Sequence, residues 1–369
     1  MQRTGFPNVS IKLYQDYEAF LSHRFIELGA TFVTMTLRDS LRGVNEGLLQ
    51  FYDNKAMHTK LTGHEIIQIS LSTSNTDEVF NRIYGISHSN VTVDQKTDNI
   101  LTFQLKSYHE SLNLKFSRAM TNNAVNNITN MIEAIYKDVP LWKPSITGDN
   151  VVIPRCPWVS TVNEYMDYVR AYGQSVDTES FVYCWEDFDG IKIAGHDTIL
   201  KNEPIQAIIC EPRLLGQFID MGENLMVFNF EWQTKSNARV KNSFNNVTYT
   251  TIDFITKQYN KIVVGNGDNI AHFAHGGAYG ELTYKNAYLE GTKLATMGQY
   301  DSYATTVTHG NFSLRPGMVI RFFDEKQQAR SDFIVDEVVH EISREQSLTH
   351  LYMIGNSEEL QEVKFEGKI

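Results

Sequence analysis

A run of two-residue alternations constrains this chain more than any other feature. In Thr31 to Leu37, Val33, Met35 and Leu37 alternate with Thr34 and Thr36. In Glu65 to Leu71, Ile67, Ile69 and Leu71 alternate with Gln68 and Ser70, and Leu101, Phe103 and Leu105 alternate with Thr102 and Gln104. Successive side chains of a strand point to opposite faces, so each segment has a core side and a water side. Turn signals separate the segments: Arg42-Gly43, Asp53-Asn54, Thr62-Gly63 and Asp98-Asn99. Short strands at this spacing predict a small barrel or sandwich in the first hundred residues. The 21 Phe and 18 Tyr fit, because flat rings suit a pleated, half-buried surface.

After about residue 108 the pattern changes. Thr121-Asn122 is a plausible cap for a helix through Val139, with Val125, Ile128, Ile132, Ile135 and Tyr136 at helical spacing, closed by Pro140 and Pro144. Ser160-Thr161 caps a second helix that carries Tyr165, Met166, Val169 and Tyr172 and ends at Gly173. Phe181 to Trp185 and Ile191 to Ile193 read as a hairpin around Asp187–Gly190. Met226 to Trp232 is strand-like, and the Asn-rich stretch 236–248 reads as a loop. A long helix is expected from Glu281 to about Thr305, with Ala287, Gly291 and Ala295 four residues apart. Met318 to Phe323, Phe333 to Ile342 and Leu348 to Ile354 are strands again. Gln50-Phe51-Tyr52-Asp53-Asn54-Lys55 echoes Arg321-Phe322-Phe323-Asp324-Glu325-Lys326, each after a glycine (Gly47, Gly317) and each ahead of a Leu-Thr strand, Leu101-Thr102 and Leu348-Thr349. A duplicated β-domain follows, in which Phe51 overlays Phe322 and Leu101 overlays Leu348.

The 369 residues suffice for two to four domains, each with its own core. A formal net charge of −11 disfavours generic or specific nucleic-acid binding, because such a surface repels phosphate. Cys156, Cys184 and Cys210 form no Cys-x-x-Cys pair, as expected of a reducing compartment. The N-terminal stretch lacks an apolar signal core and no window reaches ~18 apolar residues, so cytoplasmic synthesis without stable membrane insertion is expected.

Site chemistry is sparse. His272 and His275, or His58 and His64, have no clustered third ligand, so no metal is expected. Glu186, Asp187 and Asp189 lie in one turn, and such acids are expected to point into solvent rather than face each other across a cleft. No Gly-x-Ser-x-Gly elbow occurs. Cys184 and Cys210 sit in apolar strands as small hydrophobes. Gly276-Gly277-Ala278-Tyr279-Gly280 reads as a helix entry turn without the lysine of a phosphate loop. No cofactor and no catalytic residue are assigned. The four tryptophans and many tyrosines are core or interface groups.

Long ordered stretches carry a resemblance. They include Gly5-Phe6-Pro7-Asn8-Val9-Ser10-Ile11-Lys12-Leu13, Leu37-Arg38-Asp39-Ser40-Leu41, Asn45-Glu46-Gly47-Leu48-Leu49-Gln50-Phe51-Tyr52-Asp53, Pro157-Trp158-Val159-Ser160-Thr161, Met297-Gly298-Gln299-Tyr300-Asp301-Ser302-Tyr303-Ala304, Val335-Asp336-Glu337-Val338-Val339-His340-Glu341 and Thr349-His350-Leu351-Tyr352-Met353. Over almost its full length the chain resembles the baseplate central hub proteins of T-even-type contractile-tailed bacteriophages. It departs at the end: it stops at Ile369 without the family's longer polar tail, and no role is assigned to one.

The resemblance implies a mainly β fold with inserted helices (α+β): two related antiparallel β-barrel domains plus mixed segments, forming a trimeric ring. The expected division is 1–108 for the first barrel, 204–236 and 305–356 for the second, 109–203 and 237–304 for inserted segments, and 357–369 for a tail. The implied role is structural: a homotrimeric adaptor in the virion tail baseplate, assembled in the host cytoplasm. It would join the three-fold cell-puncturing spike (a lysozyme-bearing protein, bound through its OB-fold domains) to the six-fold tail tube or tube-initiator proteins, meet the tape-measure protein, and line the DNA conduit. Muralytic activity belongs to the spike in this family. The interface candidates are Trp142, Trp158, Tyr284, Tyr288, Tyr300 and Tyr303. Two rivals are a tail-associated peptidoglycan hydrolase, which needs an inward cleft with paired carboxylates, and a receptor-binding module, which needs an exposed aromatic groove.

Overall fold

The computed structural model describes residues 6–43, 45–73, 78–93, 99–111, 126–127, 151–153, 162–175, 180–187, 190–209, 224–234, 247–252, 257, 259–264, 266–273, 302–324 and 329–355. In chain order come β1 (Pro7–Tyr14), α1 (Tyr17–Leu21), β2 (Ile26–Glu27), β3 (Phe32–Ser40), β4 (Glu46–Tyr52), β5 (Ile66–Thr73), β6 (Phe80–Thr92), β7 (Ile100–Ser107), α2 (Tyr108–Ser111), β8 (Asn126–Asn127), β9 (Val151–Ile153), α3 (Val162–Tyr172), β10 (Gln174–Ser175), β11 (Val182–Asp187), β12 (Gly190–Gly195) and α4 (His196–Leu200). Then follow β13 (Ile205–Ile209), β14 (Leu225–Val227), β15 (Asn229–Thr234), β16 (Val247–Ile252), β17 (Tyr259–Val264), β18 (Asn269–Phe273), β19 (Ser302–His309), β20 (Val319–Asp324), β21 (Ala329–Ser343) and β22 (Ser347–Gly355).

The period-two segments form a curled sheet in the order β3-β4-β7-β6-β5-β1-β2, antiparallel throughout. β2 and β3 are one stretch of chain with a bend. Glu27 pairs with Lys12, Leu28 N donates to Ile11 O at 2.8 Å, and past the bend Tyr52 N donates to Thr31 O at 2.9 Å. The same stretch therefore serves both edges and closes a barrel. Ile11, Leu37, Phe51, Ile69 and Phe103 meet inside it, fully buried. Each such side chain contributes roughly 1.5–3 kcal/mol.

The second sheet has the order β15-β19-β22-β21-β20-β13-β14. It closes in the same way: Leu225–Val227 pair with β13, and beyond Phe228, whose N donates to Val307 O at 2.8 Å, Asn229–Thr234 pair with β19. Strand for strand the two orders correspond. Both long strands even carry a bulge after the third pair, at Ser87 in β6 and Asp336 in β21. Aligning the bulges sets Tyr84 with Phe333 and Ser107 with Gly355. One strand differs. β13 runs parallel to both β14 and β20, whereas β1 is antiparallel to β2 and β5. The second barrel is thus not purely antiparallel. A parallel pair needs a crossover of about a dozen residues or more, and the chain supplies 210–224 between β13 and β14.

Other expectations need correction. Phe51 lies on β4, the counterpart of β19, and falls with Thr308; Phe322 lies on β20 and falls with Ile69. Leu101 falls with Thr349, one residue from Leu348. The duplication therefore does not follow the Phe-Asp echo. The reason is chemical: this layer of the second barrel is polar, with His340 Nδ1 2.9 Å from Thr349 Oγ1 and Asn311 N donating to Thr349 Oγ1 at 3.0 Å. Residues 302–305, expected to end a long helix, belong to β19, because Ala304 and Thr306 alternate into the second barrel. The remainder of that helix lies outside the described residues. In the helix expected from 121 to 139, the two described residues, Asn126 and Asn127, pair with β9 instead. α3 and the β11–β12 hairpin form as the spacing predicts.

The barrels share a sheet. Beyond its bulge the 15-residue β21 leaves β20 and pairs with β3, from Glu337↔Ser40 to Ser343↔Thr34. It thereby gives Phe333, Val335 and Val338 to the second core and Ile342 to the first.

Candidate functional site: the barrel seam and the strand edges

Side-chain chemistry concentrates where β3 meets β21. On the outer face Arg38 Nη2 donates to Glu337 Oε2 at 2.7 Å, and Arg42 Nε to Asp336 Oδ1 at 3.1 Å. At one end Arg344 reaches across to the carbonyls of Phe32 (2.6 Å) and Ala30 (2.7 Å). The β11–β12 hairpin wedges beside the seam: Phe181, Tyr183 and Trp185 pack against Leu41 of the first barrel and Val319, Ile334 and Ile354 of the second. Gly317 permits this. Its φ is +81°, and a Cβ there would stand 3.1 Å from the Trp185 ring.

Beneath the hairpin lies a buried charged cluster. Arg82 of β6 pairs with Asp39 of β3, both within 3% of full burial. Ser107 Oγ donates to Glu186 Oε1 at 2.8 Å, and Arg315 Nη1 to Asp187 Oδ2 at 3.3 Å. Burial pushes the Asp39 carboxyl up, to about 6, with Arg82 pulling it down and the Asp187 and Glu186 charges adding to the rise. Glu186 and Asp187 are thus buried, not directed to solvent as expected: the hairpin end is packed against both barrels. Their partners are protein groups, and no two of these carboxylates are presented together to an open cleft, as a glycosidase pair must be. Buried ion pairs add little net stability, and this cluster ties the first barrel to the hairpin through Ser107 and the hairpin to the loop ahead of β20 through Arg315.

Histidines at the seam are held neutral. Burial pushes His340 down to about 3, with Arg82 and His350 adding to it, and pushes His196, stacked on Phe181, down to about 4. Cys184 is buried in the hairpin, which pushes its thiol up to about 12. Among the described residues no group of three or more His, Cys, Asp and Glu could hold a metal ion. No described helix is long and apolar enough to cross a membrane.

Two edges contrast with the seam. Beyond its bulge β6 pairs with β7, and β15 pairs with β19; among the described residues no strand pairs with their other edges. Of the interface candidates, Tyr303 lies on β19, 41% exposed. Trp142, Trp158, Tyr284, Tyr288 and Tyr300 lie outside the described residues. The sequence reading missed Asp39 and Arg82, although each sits on the core parity of its strand, between Leu37 and Leu41 and between Phe80 and Tyr84.

Residues 2–196 match the family model described as baseplate structural protein, domain 1, and residues 199–368 match domain 2. No curated protein matches. Among solved structures, the tail protein from Neisseria meningitidis MC58 is similar over 95% of this chain and 96% of its own, with a TM-score of 0.59 at 11% identity. The 43 kDa tail protein of prophage MuSo2 from Shewanella oneidensis is similar over 96% of both chains, with a TM-score of 0.56 at 9% identity. A chain of the lidded Francisella PdpA-VgrG complex is similar over 96% of this chain and 53% of its own, with a TM-score of 0.51 at 9% identity. The paired barrels are thus a fold shared with tail proteins, and two consecutive domain models account for nearly every residue: the chain belongs to the baseplate structural protein family of phage tails.

Proposed function

We propose that this baseplate protein is the central hub of a contractile tail: a homotrimer that adapts a three-fold spike to a six-fold tube and lines the DNA conduit. The observation that carries it is the pair of like barrels joined in one chain by the β3–β21 seam. Three such chains present six similar elements around one axis, so one end can meet a six-fold tube while the whole keeps three-fold symmetry. The barrels take up 1–108 and 204–236 plus 302–356, with 109–203 and 237–301 as inserts that carry contacts to the spike's OB-fold domains, the tube or tube-initiator proteins and the tape-measure protein. The role is structural, not enzymatic: the carboxylates a hydrolase would use are engaged by Arg82, Arg315 and Ser107. The net charge of −11 suits a conduit that must not hold DNA. Assembly takes place in the host cytoplasm. Native mass spectrometry of the chain co-purified with the spike protein of its own phage is expected to give three copies of each; any other stoichiometry refutes the reading.

A further inference from the structure

The three-stranded sheet β17-β16-β18 carries a chemically labile pair. Asn266-Gly267 is the one Asn-Gly dipeptide in the 369 residues. It lies between β17 and β18, outside both ladders. β17 ends with Val264 opposite Val247, and β18 begins with Asn269 opposite the same Val247, on the other side of β16. Neighbouring strands stand about 4.8 Å apart, so the chain crosses roughly 10 Å over the end of β16 between them. Asn266 and Asp268 are exposed in this crossing. Gly267 is fixed by its surroundings. Its φ is +69°, and a Cβ on it would stand 2.7 Å from Thr248 Oγ1 and 2.9 Å from Val263 Cγ1. Its carbonyl accepts from Thr248 Oγ1 at 2.9 Å. Only glycine meets both demands, the left-handed backbone and the missing Cβ.

We propose that Asn266 is a site of spontaneous covalent modification, where the folded chain converts the carboxamide to a carboxylate through a cyclic imide. Asparagine is a thermally labile side chain, and the residue that follows it sets how readily it reacts. The nucleophile is the backbone nitrogen of Gly267. Once that amide has given its proton to hydroxide, the nitrogen attacks Asn266 Cγ. The new N–Cγ bond closes a five-membered ring, the bond from Cγ to the side-chain nitrogen breaks, and ammonia leaves with a proton taken from water. Water then adds to either ring carbonyl. Opening at one gives aspartate; opening at the other gives isoaspartate, whose main chain runs through Cβ. The sum is asparagine plus water going to aspartate or isoaspartate plus ammonia, with no oxidant, metal or enzyme.

After most asparagines the Cβ of the next residue crowds this attack. Here that atom is absent, and the contacts of Thr248 and Val263 with Gly267 keep it absent. The Thr248 bond holds the Gly267 carbonyl and not the attacking nitrogen. The exposed Asn266 side chain can rotate toward that nitrogen without disturbing a strand. Isoaspartate adds one main-chain atom ahead of Gly267 and so pulls its carbonyl off Thr248. Either product adds a negative charge beside Asp268 and close to the row Val263, Thr248, Ile270, whose outer members are 60% and 69% exposed. An older chain is therefore more acidic at this crossing than a new one.

The test is ageing of the full chain. The protein and its Asn266→Gln variant are held in mildly alkaline and mildly acidic buffer and digested at intervals. Peptide mass spectrometry with fragmentation that separates isoaspartate from aspartate locates each conversion. Glutamine would need a six-membered ring, which closes far more slowly, so the variant serves as the blank. The expected result is conversion at Asn266 ahead of every other asparagine, faster in the alkaline buffer, with both products present and no conversion at 266 in the variant. An amide that persists at 266 while other asparagines convert, or a product that is aspartate alone, overturns the proposal. So does conversion that begins only after unfolding in urea, because the folded crossing would then protect the pair.

Discussion

Removing the cation of the buried cluster should cost far more than removing the carboxylate that contacts it. Arg82 faces Asp39 directly, with Glu186 and Asp187 close enough to bias its charge, and all four are at least nine-tenths buried. Arg82→Met keeps most of the aliphatic volume but removes the buried positive charge that faces Asp39 and lies near Glu186 and Asp187. Breaking a buried pair in this way costs roughly 3–5 kcal/mol. Asp39→Asn leaves Arg82 balanced by Glu186 and Asp187. A carboxyl held at about 6 rather than 3.8, with the pull of Arg82 already included, costs roughly 3 kcal/mol to keep ionised at neutral pH, at about 1.4 kcal/mol per pH unit, and the amide does not bear that cost. Asp39→Asn should therefore destabilise far less than Arg82→Met, and combined with Arg82→Met it should recover part of that variant's loss. Urea unfolding at pH 7, followed by tryptophan fluorescence, measures all three variants. Equal losses for the two single variants, or a larger one for Asp39→Asn, would refute a cluster that shares its charge.

Acid should weaken the fold through its buried histidines. His340 and His196 take up protons near 6.5 when unfolded but only near 3 and 4 when folded, so their contribution is complete above pH 6.5 and is lost as the pH falls toward 4. Asp39, with its folded value raised, opposes this between about 6 and 3.8, which leaves a net loss of roughly 2–3 kcal/mol from pH 7 to pH 5. Urea midpoints at the two pH values check it, and an unchanged or higher midpoint at pH 5 would contradict the assignment. The Cys184 thiol, buried and pushed up to about 12, should resist alkylation in the native protein and react once it is unfolded. Peptide mass spectrometry after a native iodoacetamide pulse reads this directly, and early labelling of Cys184 would show that the hairpin opens.

The barrels were legible because period-two alternation is a local signal: the segments around Met35, Ile69 and Phe103 are strands with those residues inside. What joins the barrels was not, because strand pairing between residues about 300 apart leaves no mark on either segment. The duplication was inferred correctly from a misleading match. Side chains have drifted so far that Phe51 now corresponds to Thr308, while the backbone irregularity at Ser87 and Asp336, which has no residue signature, preserves the true alignment. Asp39 and Arg82 were hidden for the opposite reason. Their core parity was visible, but a charged residue on an apolar face makes sense only once its partner is known to lie on another strand.

The direction of β13 bears on how the chain came to be. Substitutions can slide a strand, lengthen it or change its side chains, but no series of them turns one end for end within a sheet. Every other strand of the second barrel runs as its counterpart does in the first, so those can descend from a single ancestral unit. β13 runs opposite to β1, so a plain duplication of one barrel does not account for this one position in the wall.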